Sequence, residues 1–213
     1  MSAIINLLKD KKSNKNPSTP ILPKDVGWIE KKLNQPELDF IWHCVDNKSI
    51  DNNVQYNLAG NITASHELED YENLFWSSVL KPLVKDFEKY YIQNSGGELK
   101  LDKMWVNYQR QTEFNPIHIH TGVYSFVIWL KIPTTYEDQK KLPIASPSNS
   151  AMISNFIFTY TDILGKIRSY DYKMSPEVEG TMVLFPATLS HQVYPFYNCD
   201  DTRISVSGNI TYR

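Results

Sequence analysis

Residues 203–212 read RISVSGNITY, and their apolar and polar side chains alternate almost without interruption. Successive side chains of a β-strand point to opposite faces, so this pattern predicts a strand with one apolar and one polar face. The apolar face carries Ile204, Val206, Ile210 and Tyr212. The polar face carries Arg203, Ser205, Ser207, Asn209 and Thr211. The strand is therefore expected to separate a packed core from a polar interior or from solvent.

Further segments upstream of this strand have the composition and spacing of strands, and turn residues separate them. They are LKLDKMWVNYQ (99–109), GVYSFVIWLKIP (122–133), AMISNFIFTY (151–160), GKIRSYDYKM (165–174), GTMVLFPA (180–187) and HQVYPFY (191–197). Many short strands at this spacing are typical of a sandwich or a jelly-roll barrel. The C-terminal half is thus predicted to be almost entirely β.

The N-terminal half has helical periodicity. Residues 24–47 predict two short helices, of which the second begins at Pro36. A longer helix is predicted after Ser65, and Pro82 should kink or divide it. Its apolar stripe consists of Leu68, Tyr71, Phe75, Val79, Leu83, Phe87 and Tyr90. These helices would pack on the outside of a sheet.

A chain of 213 residues normally forms one hydrophobic core. We expect a single domain over residues 1–213, with an arm and helical layer at 1–98 and a β core at 99–213. Residues 9–20, KDKKSNKNPSTP, predict a flexible arm with no assigned role. Residues 134–150 are polar and rich in Pro and Ser, which predicts a long loop of the kind that often covers a substrate site.

The composition disfavours several classes of partner. The chain has 22 Lys+Arg and 24 Asp+Glu residues and a net charge of −2, so it offers no electrostatic footprint for nucleic acid. Cys44 and Cys199 are far apart and show no disulfide pattern, which favours a reducing, cytoplasmic compartment. The opening MSAIINLL is too short to span a bilayer, and KDKK follows it at once, so no membrane segment or export signal is expected.

Three of the five histidines lie in the predicted β half. His118 and His120 stand two positions apart in NPIHIHTG, so on a strand they share one face at about 7 Å spacing. His191 follows the apolar segment GTMVLFP and would come from a neighbouring strand. Imidazole suits iron, copper, zinc and nickel, so the three residues form a candidate metal site. An HxH pair alone is more often a surface pair or a packed core pair.

Arg203 and Ser205 form a candidate anion site on the polar face of the last strand. If that face points inward, the guanidinium needs a carboxylate, and no acidic residue of the core strands is an obvious partner. A small dicarboxylate beside a metal would satisfy Arg203 through two parallel hydrogen bonds, with a third from Ser205. The alternative is an ordinary surface charge on an edge strand.

Taken together, the motifs resemble a known family. The order HxH, then G-x-x-x-x-F-P-x-x-x-x-H-x-V-x-P, then R-x-S is similar to the 2-oxoglutarate/Fe(II) oxygenase superfamily, most closely to an oxygenase branch common in marine bacteria and tailed phages. The resemblance covers about residues 99–213. It implies a double-stranded β-helix with helices packed on the outer face of the major sheet, and it implies Fe(II), 2-oxoglutarate and O₂ as cofactors.

The same resemblance implies His118 and His191 as iron ligands, and Arg203 with Ser205 as the clamp for the C5 carboxylate of 2-oxoglutarate. Tyr108 matches a tyrosine that often lines the cosubstrate pocket, although an ordinary core aromatic is the other interpretation. The family's usual proximal carboxylate is replaced by His120. This residue is expected either as the third ligand or next to a site completed by water.

Three functions are compatible with these features. The first is a non-haem Fe(II) oxygenase that couples oxidative decarboxylation of 2-oxoglutarate to hydroxylation of a second substrate. The second is a cupin-like three-histidine dioxygenase that does not use 2-oxoglutarate, which the Arg203 and Ser205 pair disfavours. The third is a non-catalytic jelly-roll binding protein. Whether the substrate is a small molecule or a peptide, and which oligomeric state the chain adopts, are left open.

Overall fold

A computed structural model describes residues 27–49, 53–55, 58–91 and 96–213. The expected arm at residues 9–20 lies outside this part of the chain. In chain order the strands are β1 (Ile29–Lys32), β2 (Ala64–Leu68), β3 (Leu99–Gln109), β4 (Asn115–His118), β5 (Tyr124–Lys131), β6 (Phe156–Thr161), β7 (Ile167–Tyr172), β8 (Thr181–Pro186), β9 (Ser190–Val193) and β10 (Arg203–Tyr212).

The strands form two antiparallel sheets. The major sheet has six strands in the order β1-β8-β5-β10-β3-β2, and the minor sheet has four in the order β4-β9-β6-β7. From β3 onward the chain passes repeatedly from one sheet to the other, as in a jelly roll. The predicted double-stranded β-helix is therefore confirmed, and β10 lies in the interior of the major sheet between β5 and β3.

Helix α1 (Gln35–Asp46) begins where Pro36 predicts it. The side chain of Asn34 accepts a hydrogen bond from the Glu37 amide, and the Glu37 carboxylate accepts one from the Asn34 amide. This reciprocal cap satisfies two amide groups that the first helical turn leaves free. The helix expected before α1 is not present among the described residues. The chain forms β1 there and pairs with β8.

The predicted long helix after Ser65 is wrong in its first part. Residues Ala64–Leu68 form β2, which pairs with β3. In this strand Ser65 and Glu67 face one side of the sheet, and His66 and Leu68 face the other. A short 3₁₀ turn, a π-helical turn over Trp76–Leu80 and helix α2 (Lys81–Tyr90) follow. Pro82 lies in the first turn of α2, where its missing N–H costs no helical hydrogen bond. The N-terminal layer thus supplies both edge strands of the major sheet as well as helices.

Two hydrophobic clusters hold these layers together. The larger lies between the helices and the outer face of the major sheet and includes Ile41, Leu80, Phe87, Ile128 and Leu184, all completely buried. The smaller lies between the two sheets and includes Trp129, Phe156, Phe158, Phe185 and Leu189. The described part of the chain has no helix long and apolar enough to cross a membrane.

Candidate active site

A cavity of about 370 Å³ opens between the two sheets. Its floor is the inner face of β3, β5 and β10, and its opposite wall comes from β4, β6 and β9. Further lining residues before β2 are Val54, Gln55, Leu58, Ala59, Gly60 and Ile62. Pockets of this size hold small-molecule ligands and cofactors. The cavity is therefore the candidate active site.

Three histidines meet on one wall of this cavity. His118 ends β4 and lies opposite His191 of β9, while His120 follows two residues later. Their ring centroids are 4.3 Å (His118–His191), 5.0 Å (His118–His120) and 5.0 Å (His120–His191) apart. One ligand atom from each ring lies within 4.8 Å of the other two. A single metal ion fits among three imidazoles placed in this way.

Backbone carbonyls fix the orientation of two of these rings. His118 Nδ1 lies 2.7 Å from the carbonyl oxygen of Pro116, and His191 Nδ1 lies 2.9 Å from that of Leu189. Donation to a carbonyl requires a proton on Nδ1, so Nε2 of both rings keeps the lone pair that a metal needs. The Nε2 atoms of His120 and His191 are 3.1 Å apart. A proton or a cation must lie between two nitrogens at this distance.

The three rings are uncharged near neutral pH. Burial lowers the pKa of His118, and burial with the nearby His118 lowers the pKa of His120 to about 4. Burial, aided by the other two histidines, lowers the pKa of His191 to about 3. Because metal binding requires neutral imidazole, the site is ready for a cation without first losing protons.

The guanidinium of Arg203 lies at the first residue of β10 and is 3% exposed. Its Nη2 donates to Ser154 Oγ at 2.5 Å, its Nη1 donates to Gln109 Oε1 at 3.4 Å, and its Cζ lies 5.0 Å from the centroid of the Phe196 ring. The Nε–H has no hydrogen-bond partner. Burial lowers the pKa of Arg203 to about 9. The interpretation of Arg203 as a surface charge on an edge strand is therefore wrong.

No carboxylate among the described residues forms an ion pair with Arg203. A buried guanidinium without a counter-charge is costly, and its free Nε–H requires an acceptor. Ser205, Ser207 and Asn209 continue the polar face of β10 along the cavity, as the sequence predicts. An anionic group that enters beside Ser205 would satisfy Arg203, so the residues fit a small dicarboxylate.

The structure corrects the expectation for Tyr108, which does not reach the cavity. Its ring lies on the opposite face of β3, 6.2 Å from the His66 ring and 5.2 Å from the ammonium of Lys48. The adjacent Asn107 and Gln109 line the cavity instead. The alternation in WVNYQ predicts this orientation, because Val106 and Tyr108 must share a face once Val106 is assigned to the core. Gln109 and Ser154 were not identified from the sequence, because no motif marks the neighbours of an arginine.

The expectation of a substrate lid over residues 134–150 is also wrong. This segment contains a short helix, α3 (Tyr136–Gln139), and none of its residues lines the cavity. Gln139 is buried and exchanges two hydrogen bonds with the backbone of Tyr197, which holds the segment away from the cavity. Residues outside the strands that line the cavity include Gln55, Leu58 and Gly60.

Comparison with known proteins identifies the family and agrees with the fold. A family model described as "Putative 2OG-Fe(II) oxygenase" matches residues 103–209, about half of the chain. This match spans the three histidines and Arg203. A search of curated proteins finds no significant match.

Solved structures of similar fold share little sequence. A prolyl-4-hydroxylase from Pseudomonas putida is 12% identical, with a TM-score of 0.51 over 100% of this chain and 98% of that one. HygX from Streptomyces hygroscopicus, solved with nickel, 2-oxoglutarate and hygromycin B, is 10% identical, with a TM-score of 0.54 over 88% and 83%. SnoN, a non-haem α-ketoglutarate-dependent epimerase from nogalamycin biosynthesis, is 11% identical, with a TM-score of 0.54 over 88% and 79%.

At these identities the solved structures establish the fold, and the family model establishes the family. The fold agrees with the double-stranded β-helix described above. The cluster of three neutral imidazoles fits Fe(II), and the unpaired Arg203 fits a dicarboxylate. The chain belongs to the 2-oxoglutarate/Fe(II) oxygenase family, whose cofactors are Fe(II), 2-oxoglutarate and O₂.

Proposed function

We propose that this enzyme hydroxylates a C–H bond of a second substrate while it decarboxylates 2-oxoglutarate. In this proposal His118, His120 and His191 hold Fe(II). Arg203 and Ser205 bind the C5 carboxylate of 2-oxoglutarate. The second substrate is a small molecule or a peptide that enters the same cavity.

The buried guanidinium of Arg203 is the observation that carries the proposal. It shares the cavity with the three histidines, has no carboxylate partner in the described chain and keeps one unsatisfied N–H. A carboxylate can accept two parallel hydrogen bonds from a guanidinium, which removes both the unpaired charge and the orphan donor. The hydroxyl of Ser205, two residues along the same face, can donate another. A dicarboxylate bound here would direct its other end towards the histidines.

The three histidines supply neutral nitrogen donors for the iron. His118 and His191 are oriented by backbone carbonyls, which fixes Nε2 as the donor atom of each ring. His120 occupies the position of the family's usual carboxylate, so the bound metal keeps one more unit of positive charge. Bound Fe(II) supplies activation of O₂ and the oxidative decarboxylation of 2-oxoglutarate. The chain's own residues orient the cosubstrate and keep bulk water from the centre.

The side chains around the histidines favour hydroxylation among the reactions of this family. Phe156 and Phe185 surround His191 with ring centroids 5.6 Å and 4.9 Å away, so the wall is apolar. The described lining of the cavity contains no Tyr or Cys, the side chains that could return a hydrogen atom to an oxidised substrate carbon. An epimerase needs such a donor, whereas a hydroxylase does not.

The two alternative functions have less support. A three-histidine dioxygenase that does not use 2-oxoglutarate would have no need for the buried Arg203, and the family match spans this arginine. A non-catalytic binding protein would have no need to hold two imidazoles in the tautomer suited to a metal. Both alternatives therefore leave part of the site without a purpose.

The test is anaerobic addition of Fe(II) and 2-oxoglutarate to the protein, followed by admission of air. We expect a weak metal-to-ligand charge-transfer band in the visible under anaerobic conditions and succinate after air is admitted. In Arg203→Lys the band should require much more 2-oxoglutarate. Arg110→Lys, the same change at an exposed arginine, is the control and should behave as the wild type. A protein that gives neither band nor succinate would contradict the proposal.

A further inference from the structure

Part of the cavity lies beyond the reach of a cosubstrate held at Arg203. Along the cavity face of β10, Arg203 and Ser207 lie about 14 Å apart, at the rise of an extended strand. The two carboxylates of 2-oxoglutarate are joined by only three carbons, so a molecule anchored at Arg203 ends near the histidines. The inner face around Ser207 and Asn209 is left for the second substrate.

Trp105 of β3 forms the floor of this outer region. It lies opposite Ser207 in the sheet and lines the cavity, and its ring centroid is 5.9 Å from that of His120. The residue is 6% exposed but belongs to neither hydrophobic cluster, and its indole N–H donates no hydrogen bond to another described residue. Trp105 is therefore part of the cavity lining next to the metal site, where a bound ligand can contact it.

Glu67 of β2 lies directly opposite Trp105 on the other neighbouring strand. Its side chain lines the cavity, is partly buried and makes no ion pair with any described residue. Directly opposed side chains on one face of an antiparallel pair have Cβ atoms about 5 Å apart. The carboxylate therefore stands at the margin of the tryptophan ring, within reach of a group bound on it.

A second buried polar group with free donors points into the same space. Asn107 is 6% exposed and lines the cavity next to Trp105 on β3. Its Oδ1 accepts a hydrogen bond from Ser65 at 2.8 Å, which leaves the two amide protons without a partner. These donors and the Trp105 N–H add to the Glu67 carboxylate, so the floor can both accept and donate hydrogen bonds to a ligand.

We propose that the second substrate carries a protonated amine or a guanidinium, bound between the Glu67 carboxylate and the Trp105 ring. A cation over a tryptophan face is attracted by the ring quadrupole, and a carboxylate beside it adds charge-assisted hydrogen bonds. The proposal rests on the hydroxylase function given above and names the class of its substrate. The oxidised carbon would lie a short alkyl spacer from the nitrogen, because Trp105 is close to His120.

The other charges at this end of the cavity agree with a cationic ligand. Asp102 and Lys103 also line it, but both are exposed and neither forms an ion pair in the described structure. With Glu67 they give two carboxylates and one ammonium. In the loaded protein the two charges of Fe(II) are balanced by those of 2-oxoglutarate, and Arg203 lies far along the strand. An anionic substrate group would therefore face net repulsion at Glu67.

The experiment compares cationic probes with neutral isosteres on the protein loaded anaerobically with Fe(II) and 2-oxoglutarate. The free probes are n-butylguanidinium and n-butylurea. The peptide probes are a blocked alanine pentapeptide with one central arginine and the same peptide with citrulline. Binding is measured by calorimetry. We expect the cation of at least one pair to bind about tenfold or more tightly than its neutral isostere, as a charge-assisted hydrogen bond with a cation–π contact predicts. Preference within the free pair indicates a small cationic molecule, and preference within the peptide pair alone indicates a peptide side chain.

Variants locate the origin of this preference. Glu67→Gln keeps the shape and should remove the discrimination between cation and isostere, whereas Glu67→Asp should keep most of it. Glu69→Gln makes the same change at an exposed carboxylate that does not line the cavity, and it should leave the discrimination nearly unchanged. Trp105→Leu should weaken the cation several-fold more than Trp105→Phe does. An unfolding curve for each variant identifies any change that only reflects a damaged fold.

Equal binding of cation and isostere in both pairs, including no measurable binding of either, would overturn the proposal. Undiminished preference for the cation in Glu67→Gln would overturn it as well. These outcomes are separate from a failure of the hydroxylase function. The charge-transfer band and the slow succinate release in the absence of a second substrate are recorded first on the same sample, and their loss would count against the cofactor site alone.

Discussion

Alternate residues of β10 serve opposite sides of the major sheet. Val206 and Ile210 are completely buried against the helical layer. Arg203 and Ser205 face the cavity on the other side. The Nε–H of Arg203 has no hydrogen-bond acceptor among the described residues. The two faces belong to one strand and one hydrogen-bonded ladder. They differ in whether the side chains find all their packing and hydrogen-bonding partners within the chain.

This difference shows where stability and function reside. The outer face is complete without a ligand, since its apolar side chains fill the space between sheet and helices. The cavity beneath the inner face is lined by three neutral imidazoles, an unpaired guanidinium and a carboxylate with no ion-pair partner among the described residues. Changes on the outer face should therefore alter the free energy of unfolding, and changes on the inner face should alter ligand binding.

The largest effects are expected from one substitution in the cavity, which should remove Fe(II) binding, and one on the outer face of the major sheet, which should lower stability. His191→Ala should abolish stoichiometric Fe(II) binding, because it removes a donor atom whose ring a carbonyl already orients. Ile128→Ala, at a completely buried outer-face position, should lower the free energy of unfolding by about 2–5 kcal/mol and leave Fe(II) affinity unchanged. Metal titration and urea unfolding of both variants measure this. Native metal affinity in His191→Ala would exclude it as a ligand.

A smaller loss of metal is expected at His120, where the site departs from the usual carboxylate. His120→Ala should bind Fe(II) much more weakly, whereas His120→Asp should keep the metal because it restores a carboxylate donor. Fe(II) titration with a competing chelator separates the two variants from the wild type. If His120→Ala kept wild-type affinity, two histidines and water would hold the iron.

When the charge of Arg203 is removed, the affinity for 2-oxoglutarate and the stability of the cofactor-free protein should change in opposite directions. Arg203→Met removes the anion clamp, so 2-oxoglutarate affinity should fall by about 1.4 kcal/mol or more, a factor of ten. The cofactor-free protein should be as stable as the wild type or more stable, because a buried charge without a partner is replaced by an apolar chain of similar length. Arg203→Lys should lose 2-oxoglutarate affinity without this gain in stability. Calorimetry and thermal unfolding test the pair of effects.

Most of the difference between the two faces of β10 could be predicted from the sequence. The alternation in residues 203–212 predicts which side chains share a face, and the strands at 203–212 and 99–109 both have the predicted bounds. The metal cluster follows from HxH and a third histidine on a neighbouring strand. The position of Tyr108 was assigned by likeness instead of by alternation, and this is where the prediction failed.

The remaining differences involve contacts distant in the sequence. Leu68 begins an apolar stripe with helical spacing, but pairing of Ala64–Leu68 with β3 makes this segment a strand, and only the sheet decides this. Ser154 reaches Arg203 through the turn before β6, and Glu67 meets Trp105 through strand register. No local pattern encodes such neighbours. The floor of the substrate region was therefore found only in the folded chain.

The histidine cluster also predicts how the stability of the metal-free protein depends on pH. Its pKa values in the folded chain lie below the ordinary value near 6.5, so below that pH the unfolded chain binds protons that the folded chain does not. Stability should be constant above about pH 6.5 and fall by about 1.4 kcal/mol per pH unit for each such histidine as pH decreases towards 4. Urea unfolding at several pH values measures the slope. A His191→Gln variant with the same slope as the wild type would contradict this.

The smallest expected effect separates backbone from side chain at Ser154. This serine is completely buried with a φ of 68°, a left-handed conformation that costs a residue with a Cβ about 1 kcal/mol relative to glycine. Its hydroxyl accepts a hydrogen bond from Arg203. Ser154→Gly and Ser154→Ala both lose that acceptor, so both should weaken 2-oxoglutarate binding by the same few-fold factor. Only the alanine variant keeps the strain, so Ser154→Gly should be about 1 kcal/mol more stable. Calorimetry and urea unfolding of the pair give both numbers, and unequal 2-oxoglutarate affinities would mean that the backbone conformation, and not the hydroxyl, positions the arginine.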